Sequence, residues 1–403
     1  MPAARPEGDG TRITTPDEPV KVLLVGTSTE FGGMERIICQ LGAELVSRDW
    51  TVRLLFPESE SSGKISALCT EVGISSSFVP SAAVDVGSDT SVFQIRDFFR
   101  IVRGAAPRIV HLNYGESFIS LKQVLAVRLA GSVCVVNLHG ISPWNKRSLR
   151  KRVATFFASR LCEKVLVNSA ATRRAAQRAG VPSGKLEIVH CGIPPANALL
   201  GREEARRELD LPPDAFIVAS AGRLIRQKRM DEVIRAVAEM PPSGRPVLHA
   251  VAGEGEERAN LEALAKRSGA PVRFLGYLPS LAAFYAAADV FVLPSEGEAF
   301  GLVYVEAAQH GLPSIGVDQG GVPDVISDGE SGFLVPANDH QALVNALVAL
   351  RDTPGLSQRM GEAARERARE HFTLDRMADR VTGIYRLLHV TGAALYLTLP
   401  LLP

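Results

Sequence analysis

The stretch Val290-Phe-Val-Leu-Pro-Ser-Glu-Gly-Glu-Ala-Phe-Gly-Leu-Val-Tyr-Val-Glu306 decides the fold prediction for this chain. Its first four residues are apolar and predict a short buried strand. Residues 301–309 contain no proline and predict a helix that ends near Gly311. A strand that runs directly into a helix is the repeating unit of a parallel sheet with helices on its faces.

Two carboxylates and a row of backbone N–H groups occupy this strand-to-helix junction. Glu298 lies on the loop, and Glu306 lies about two turns inside the helix. The N–H groups of Ala299, Phe300 and Gly301 fall at the helix start, where they have no intrahelical partner and attract anions. Because carboxylates repel phosphate but accept hydrogen bonds from hydroxyls, the pattern predicts a mixed site for a diphosphate and a sugar. The alternative is a solvated helix start that Glu298 caps.

The same residues resemble the retaining nucleotide-sugar glycosyltransferases of glycosyltransferase family 4. The matching pattern is Pro294-Ser295, Glu298, Phe300-Gly301 and Glu306-Ala307, with seven residues between the two glutamates. The resemblance extends over about residues 20–390. It implies the α/β fold called GT-B, in which two Rossmann-like, doubly wound domains face each other across a cleft. It also implies that the second domain holds most of the donor, including through Leu302.

Apolar runs of strand length alternate with helical patterns along the whole chain, as in a parallel α/β sheet. The predicted strands cover residues 21–25, 51–56, 108–112, 133–138, 164–167 and 186–189, then 216–221, 247–252, 272–274, 290–293, 314–317 and 333–335. Predicted helices of the first half cover residues 33–47, 94–103, 117–129 and 146–161. The break Gly192-Ile-Pro-Pro195 separates two doubly wound domains, 19–195 and 196–374. Residues 1–18 are predicted to be disordered. By resemblance, the last helix, about residues 374–388, crosses back, so that 375–403 pack on the first domain.

Composition narrows the class of protein. The chain has 403 residues, enough for two domains, and its net charge of +1 argues against a dedicated nucleic-acid binder. Its five cysteines are scattered, as in a reduced cytoplasmic protein. No apolar run reaches the length of a membrane-spanning helix, and the N-terminal residues lack the apolar core of a signal peptide. A cytoplasmic enzyme is therefore predicted.

A second motif places two cations after a predicted strand: Gly222-Arg223-Leu224-x-x-x-Lys228-Arg229. A departing nucleoside diphosphate gains negative charge, so fixed cations aimed at it stabilise the transition state more than the ground state. The resembled family has Gly-Arg-Leu-x-x-x-Lys-Gly here, and Arg229 replaces the final glycine. We predict that Arg223 and Lys228 bind the diphosphate; the alternative is a solvated basic loop.

Four further positions carry donor contacts by resemblance: Gly33 near the diphosphate, His139 near the donor sugar, Gly253 on the nucleotide side and Tyr277 beside the base. The alternative for Gly33 is a turn glycine, and the alternative for His139, at the end of a predicted strand, is a structural histidine. No cluster of metal ligands such as Asp-x-Asp is visible, so neither a metal nor a cofactor is predicted. The nucleotide sugar is the co-substrate.

Residues 146–164 hold seven cations against one acidic residue, Glu163, together with Phe156, Phe157 and Leu161. The segment predicts a basic amphipathic helix with two interpretations: a solvated charged face, or a surface for anionic lipid at the inner membrane face. The apolar tail 389–403 likewise either packs on the first domain or contacts a membrane.

The sequence therefore predicts a retaining, metal-independent hexosyltransferase. It moves a hexose from a nucleotide sugar to a hydroxyl of a saccharide or lipid-linked acceptor, in polysaccharide or glycolipid synthesis. By resemblance, Glu298 orients donor-sugar hydroxyls and Glu306 binds the ribose. The alternatives are a non-hydrolysing nucleotide-sugar epimerase, a phosphorylase, and an inert nucleotide-sugar binding protein. A phosphorylase needs a pyridoxal phosphate lysine and a longer chain.

Overall fold

The computed structural model describes residues 21–81, 92–141, 149–196 and 200–396. The N-terminal segment 1–18, Lys146, Arg147 and the end of the tail lie outside these residues. Within them, two parallel sheets of seven and six strands form two lobes, each with helices on both faces. The α/β GT-B class predicted from the sequence is confirmed.

The first lobe has the strand order β3-β2-β1-β4-β5-β6-β7. Its strands are β1 Val22–Gly26, β2 Val52–Pro57, β3 Ser76–Val79, β4 Ile109–Tyr114, β5 Val133–Leu138, β6 Lys164–Val167 and β7 Leu186–Ile188. Its helices are α1 Gly33–Ser47, α2 Ser62–Glu71, α3 Val92–Ala105, α4 Leu121–Leu129, α5 Leu149–Leu161 and α6 Ala170–Arg178. The strands are almost uniformly apolar because helices cover both faces of the sheet.

The second lobe has the strand order β10-β9-β8-β11-β12-β13. Its strands are β8 Phe216–Ala221, β9 Val247–Ala252, β10 Val272–Gly276, β11 Val290–Leu293, β12 Ser314–Val317 and β13 Gly332–Val335. Its helices are α7 Arg202–Glu208, α8 Met230–Glu239, α9 Arg258–Ser268, α10 Ala282–Ala287, α11 Leu302–Gln309, α12 Val322–Val325, α13 His340–Asp352 and α14 Leu356–His371, and the chain continues into α15 Leu374–Tyr396.

Six predicted strands have the observed bounds, and the others differ by one or two residues at one or both ends. Strand β3 was missed because it lies at the sheet edge, pairs with β2 alone in the described sheet, and has serine at its first two of four positions. The helix predicted over 117–129 begins only at Leu121, since the hydroxyl of Ser120 accepts a hydrogen bond from the N–H of Gln123 and caps it. The last helix continues to Tyr396, beyond the predicted end.

The chain passes between the lobes twice, and the two passages bond to each other. The N–H of Ile193 donates to the carbonyl of Phe372, and the N–H of Leu374 donates to the carbonyl of Ile193, both at 3.0 Å. Helix α15 then packs on α1 of the first lobe. There the hydroxyl of Tyr385 lies 2.6 Å from Nδ1 of the buried His111. One apolar core cluster consequently runs from the first sheet through this hinge into the second.

Candidate active site

The strand order in each sheet reverses at one point, between β1 and β4 in the first lobe and between β8 and β11 in the second. Ligands of open α/β sheets bind at the carboxyl ends of strands beside such a reversal. Arg223 and Lys228 follow β8, Glu298 follows β11, and Gly33 follows β1. The fold therefore brings most of the predicted site residues to these two strand ends.

Lys228 and Glu298 meet in the second lobe. The Nζ atom of Lys228 lies 2.7 Å from Oε2 of Glu298, and the two side chains are 21% and 19% exposed. A short 3-10 helix, Arg226–Lys228, presents the lysine, and Arg229 follows with φ of 51°. This left-handed conformation explains why glycine suits that position. Arg229 is held there by Glu232 at 2.7 Å and by Asn338 at 2.9 Å.

The loop that carries Glu298 is fixed by a neighbouring glycine turn. The N–H of Gly321 donates to the carbonyl of Glu298 at 2.8 Å, and a Cβ at Gly320 would lie 2.2 Å from that carbonyl oxygen. The same turn leads to Asp324. Asp324 itself accepts hydrogen bonds from the N–H of Ala170 at 2.9 Å and from Nε2 of His190 at 3.1 Å, and so links the lobes.

The helix predicted to begin at Gly301 begins one residue later, at Leu302. Gly301 has φ of 91°, outside the right-handed helical region, and a Cβ there would lie 2.5 Å from the ring of Tyr304. Among the described residues, the N–H groups of Ala299, Phe300, Gly301, Leu302 and Val303 donate to no protein acceptor. The donors expected for an anion are therefore present, although Gly301 precedes the helix instead of opening it.

Glu306 is half-buried, with a side chain that is 17% exposed, and both of its carboxylate oxygens are engaged. Nη1 of Arg36, at the start of α1, lies 3.0 Å from Oε1, and the hydroxyl of Tyr285 donates to Oε2 at 3.0 Å. Burial has the largest influence on the pKa of Glu306 and raises it. The positive charge of Arg36 lowers this pKa by a smaller amount. Because Arg36 belongs to the first lobe, Glu306 is a point of contact between the lobes.

Two more contacts cross the cleft close to the predicted donor positions. Nη1 of Arg223 lies 3.1 Å from Oε2 of Glu30, on the loop after β1, although the Arg223 side chain is 60% exposed. A Cβ added to Gly33 would lie 3.1 Å from Cδ1 of Leu302. The start of α1 thus faces the start of α11, and any larger side chain at Gly33 narrows the space between them.

His139 lies at the carboxyl end of β5, where its Nε2 is 3.0 Å from Oδ1 of Asn113. Burial lowers the pKa of His139 to about 4, so the ring is neutral at pH 7. A neutral ring can position a sugar hydroxyl by hydrogen bonding without placing a charge beside the reacting carbon.

The remaining predicted positions differ in their surroundings. Gly253 has φ of 135°, and a Cβ there would lie 1.9 Å from the carbonyl oxygen of Gly222, so the loops after β8 and β9 touch through their backbones. Gly222 lies beside the stem of Lys228. Tyr277 is 74% exposed and follows β10 directly.

Sequence reasoning did not select Glu30, Arg36, Tyr285 or His190. The signal for Arg36 was at hand, because it ends the Gly32-Gly33-Met-Glu-Arg36 segment. Glu30, Tyr285 and His190 gave no local signal. His190 stacks on Phe300 with ring centroids 5.8 Å apart and helps to hold the start of the 299–303 N–H row.

The described residues contain no group of three or more His, Cys, Asp or Glu side chains placed to hold a metal ion. A cavity of about 840 Å³ opens between the 225–229 loop and α9, but none of the predicted site residues lines it. The position of the site is therefore defined by the strand ends and by the contacts across the cleft.

Two family models match the chain on either side of the hinge. Residues 31–197 match the model described as Glycosyltransferase Family 4, and residues 201–367 match the model described as Glycosyl transferases group 1. The chain has both domains of a GT-B glycosyltransferase of the family 4 type. Helix α15 lies beyond both matches.

Curated relatives of this GT-B chain include the D-inositol 3-phosphate glycosyltransferases of two bacteria. The Streptomyces avermitilis protein is 38% identical over 220 residues, which cover 50% of this chain and 47% of the relative. The Thermomonospora curvata protein is 33% identical over 255 residues, which cover 57% and 59%. The chain thus spans about half the length of the curated relatives it matches.

Solved structures share the fold along nearly the whole GT-B chain. Anabaena HepE in complex with UDP has a TM-score of 0.78 at 21% identity, with 91% of this chain and 100% of that one covered. Sucrose-phosphate synthase from Thermosynechococcus elongatus has a TM-score of 0.75 at 21% identity, with 92% and 100% covered. At these identities the similarity establishes the fold alone.

Proposed function

We propose that this protein transfers a hexose from a nucleoside diphosphate sugar to an acceptor hydroxyl with retention of the anomeric configuration. One observation carries the proposal: Lys228 contacts Glu298, and Glu298 begins a loop-to-helix junction whose next five N–H groups have no acceptor within the part of the chain that the structure describes. Cations and N–H groups suit a diphosphate, and a carboxylate suits sugar hydroxyls.

In this proposal, Lys228 and Arg223 bind the diphosphate. As the bond between the anomeric carbon and the phosphate oxygen breaks, negative charge grows on the leaving group, and the cations stabilise it without a divalent metal. A new bond forms on the same face between that carbon and the acceptor oxygen. The acceptor proton passes to the departing phosphate oxygen. No protein nucleophile is required.

The carboxylates and the neutral histidine orient the donor. Glu298, held by Lys228, accepts hydrogen bonds from sugar hydroxyls, and His139 contacts the sugar from the first lobe. Glu306 accepts from the ribose, which is compatible with its contacts to Arg36 and Tyr285 because each carboxylate oxygen has a second lone pair. Gly33, Gly222 and Gly253 allow close approach of backbone to donor, and Tyr277 borders the base.

The test is release of nucleoside diphosphate from a panel of nucleotide sugars, with and without EDTA. UDP-glucose leads the panel because the solved HepE complexes contain UDP or UDP-glucose. We expect one donor to release nucleoside diphosphate slowly in water, faster with an acceptor, and equally with EDTA. Nuclear magnetic resonance of the product then gives the anomeric configuration. Sugar interconversion without release would indicate an epimerase, and binding without turnover an inert protein; either result contradicts the proposal.

A further inference from the structure

Helix α5 exposes its large apolar side chains and buries its small ones. Leu149, Val153, Phe157 and Leu161 recur at every fourth residue, and they are 73%, 47%, 51% and 40% exposed. The buried face consists of Thr155, Ala158 and Ser159. The hydroxyl of Thr155 accepts a hydrogen bond from the N–H of Ile119 at 3.2 Å, which fixes this orientation. A surface helix normally turns its apolar stripe toward the core, whereas α5 turns its large apolar side chains toward solvent.

The same part of the surface concentrates the exposed apolar side chains. Of the nine large apolar side chains that are exposed in the described chain, seven lie on α4 and α5. Helix α4 packs against α5 and contributes Leu125 and Leu129. Single exposed apolar residues are ordinary, but a cluster of this kind marks an interaction surface.

Positive charge accompanies the apolar stripe. Residues Leu149–Leu161 contain four cations and no acidic residue. Arg152 is exposed. Arg160 donates to the carbonyls of Phe156 at 2.8 Å and Gly180 at 3.1 Å, and its guanidinium lies 3.3 Å from the centre of the Phe156 ring. These contacts fix the position of Arg160 and leave its charge available to an anion.

We propose that the exposed face of α5 docks this protein on an anionic lipid bilayer. Leu149, Val153 and Phe157 enter the boundary between headgroups and acyl chains, while Arg152 and Arg160 contact lipid phosphates. An interfacial helix needs this combination of an apolar stripe and flanking cations. A second copy of the chain is a poorer occupant, since a two-fold symmetric contact would bring the two basic stripes together. Of the two interpretations that the sequence left open for 146–164, the proposal adopts lipid, on the described residues 149–161 alone.

The position of α5 connects this surface to the cleft. The helix follows β5, whose carboxyl end is followed by His139, and it bonds through Thr155 to the loop after β4. Docking through α5 thus brings the first-lobe side of the cleft close to the bilayer. If the proposed transferase function holds, the acceptor is the lipid-linked one of the two predicted classes; the docking itself does not depend on that function.

The test is co-sedimentation of the full chain with vesicles of phosphatidylcholine alone or mixed with equal phosphatidylglycerol. We expect binding to the anionic vesicles only, and weaker binding as salt rises. The variant Val153→Ser/Phe157→Ser should bind at least roughly tenfold more weakly, because the transfer of two apolar side chains is lost. Leu387→Ser, on α15, removes a side chain that is 58% exposed elsewhere and should bind like the wild type.

Two charge-reversal variants complete the test. Arg152→Glu should weaken binding to anionic vesicles, and Arg359→Glu on the second lobe should not. The docking proposal is wrong if the wild type ignores anionic vesicles at low salt, or if the apolar variant binds as well as Leu387→Ser. It is equally wrong if sedimentation velocity shows a dimer that Phe157→Ser dissociates. Nucleoside diphosphate release, measured without vesicles, keeps a failure of the transferase function separate.

Discussion

Lys228 offers the sharpest test of the proposed chemistry. Its ammonium group lies 2.7 Å from Glu298 and is about four-fifths shielded from solvent, at the place where the diphosphate is proposed to bind. Removing one donor that stabilises a developing oxyanion costs about 3 kcal/mol. We therefore expect Lys228→Ala to lower kcat by about two orders of magnitude. The assay is initial nucleoside diphosphate release at saturating donor.

The same substitution leaves the carboxylate of Glu298 without its cation. The effect of this unpaired carboxylate on stability must be separated from the effect on the chemical step. Both side chains retain some exposure, so we expect a stability loss of only about 1 kcal/mol in urea unfolding. The double variant Lys228→Ala/Glu298→Gln removes this loss, because no carboxylate remains unpaired. Lys266→Ala, an exposed lysine on α9, is the matched control.

The double-mutant cycle decides between two roles for Lys228. If the lysine acts on the leaving group, its removal lowers kcat even when residue 298 is already glutamine. If it only positions Glu298, its removal has no further effect in the glutamine background. The assignment of Lys228 to the diphosphate would be refuted if Lys228→Ala had no further effect on kcat in the glutamine background. It would also be refuted if Lys228→Ala alone kept near-normal turnover with an intact circular dichroism spectrum.

Three further substitutions test the supporting structure. Burial raises the pKa of Glu35 from 4.5 to about 7. Because the unfolded chain ionises this carboxyl first, the wild type loses stability as the pH rises from about 4.5 to 7. The variant Glu35→Gln should therefore have an unfolding free energy up to about 3 kcal/mol higher than the wild type at pH 8 and an equal one at pH 4. A gain that is equal at both pH values would contradict this. Arg229→Gly relieves the backbone strain of an arginine in the left-handed region but loses the ion pair with Glu232 at 2.7 Å. We expect a net loss of about 1 kcal/mol of unfolding free energy in urea. A gain in stability would show that the ion pair contributes little. Gly253→Ala should cost roughly 2 kcal/mol or more, because its Cβ meets a backbone oxygen, whereas Gly244→Ala, with open space around it, should not lower the melting temperature.

The fold was largely predictable because its signals are local. Buried parallel strands are nearly continuous apolar runs, and β5, β6, β8, β9, β11 and β12 carry such runs with at most one polar residue each. Strand β3 has no such run, since an edge strand is covered on fewer sides. Cap chemistry explains the misplaced helix starts: Ser120 ends the extended approach to α4, and the left-handed Gly301 delays α11 by one residue.

The environment of the site residues was not predictable because it depends on contacts between the lobes. Glu306 on an isolated helix would be a solvated carboxylate with an ordinary pKa. The fold instead buries it against Tyr285 and Arg36, and Arg36 is separated from Glu306 by 270 positions in the chain. Burial outweighs the charge of Arg36, so the pKa of Glu306 rises although a cation is beside it. Separation of the lobes would remove Arg36 and the burial that α1 supplies, while the bond to Tyr285, which lies in the second lobe with Glu306, would remain. The pKa of Glu306 therefore depends on how closely the two lobes approach, and no pattern within the 294–306 stretch encodes that approach.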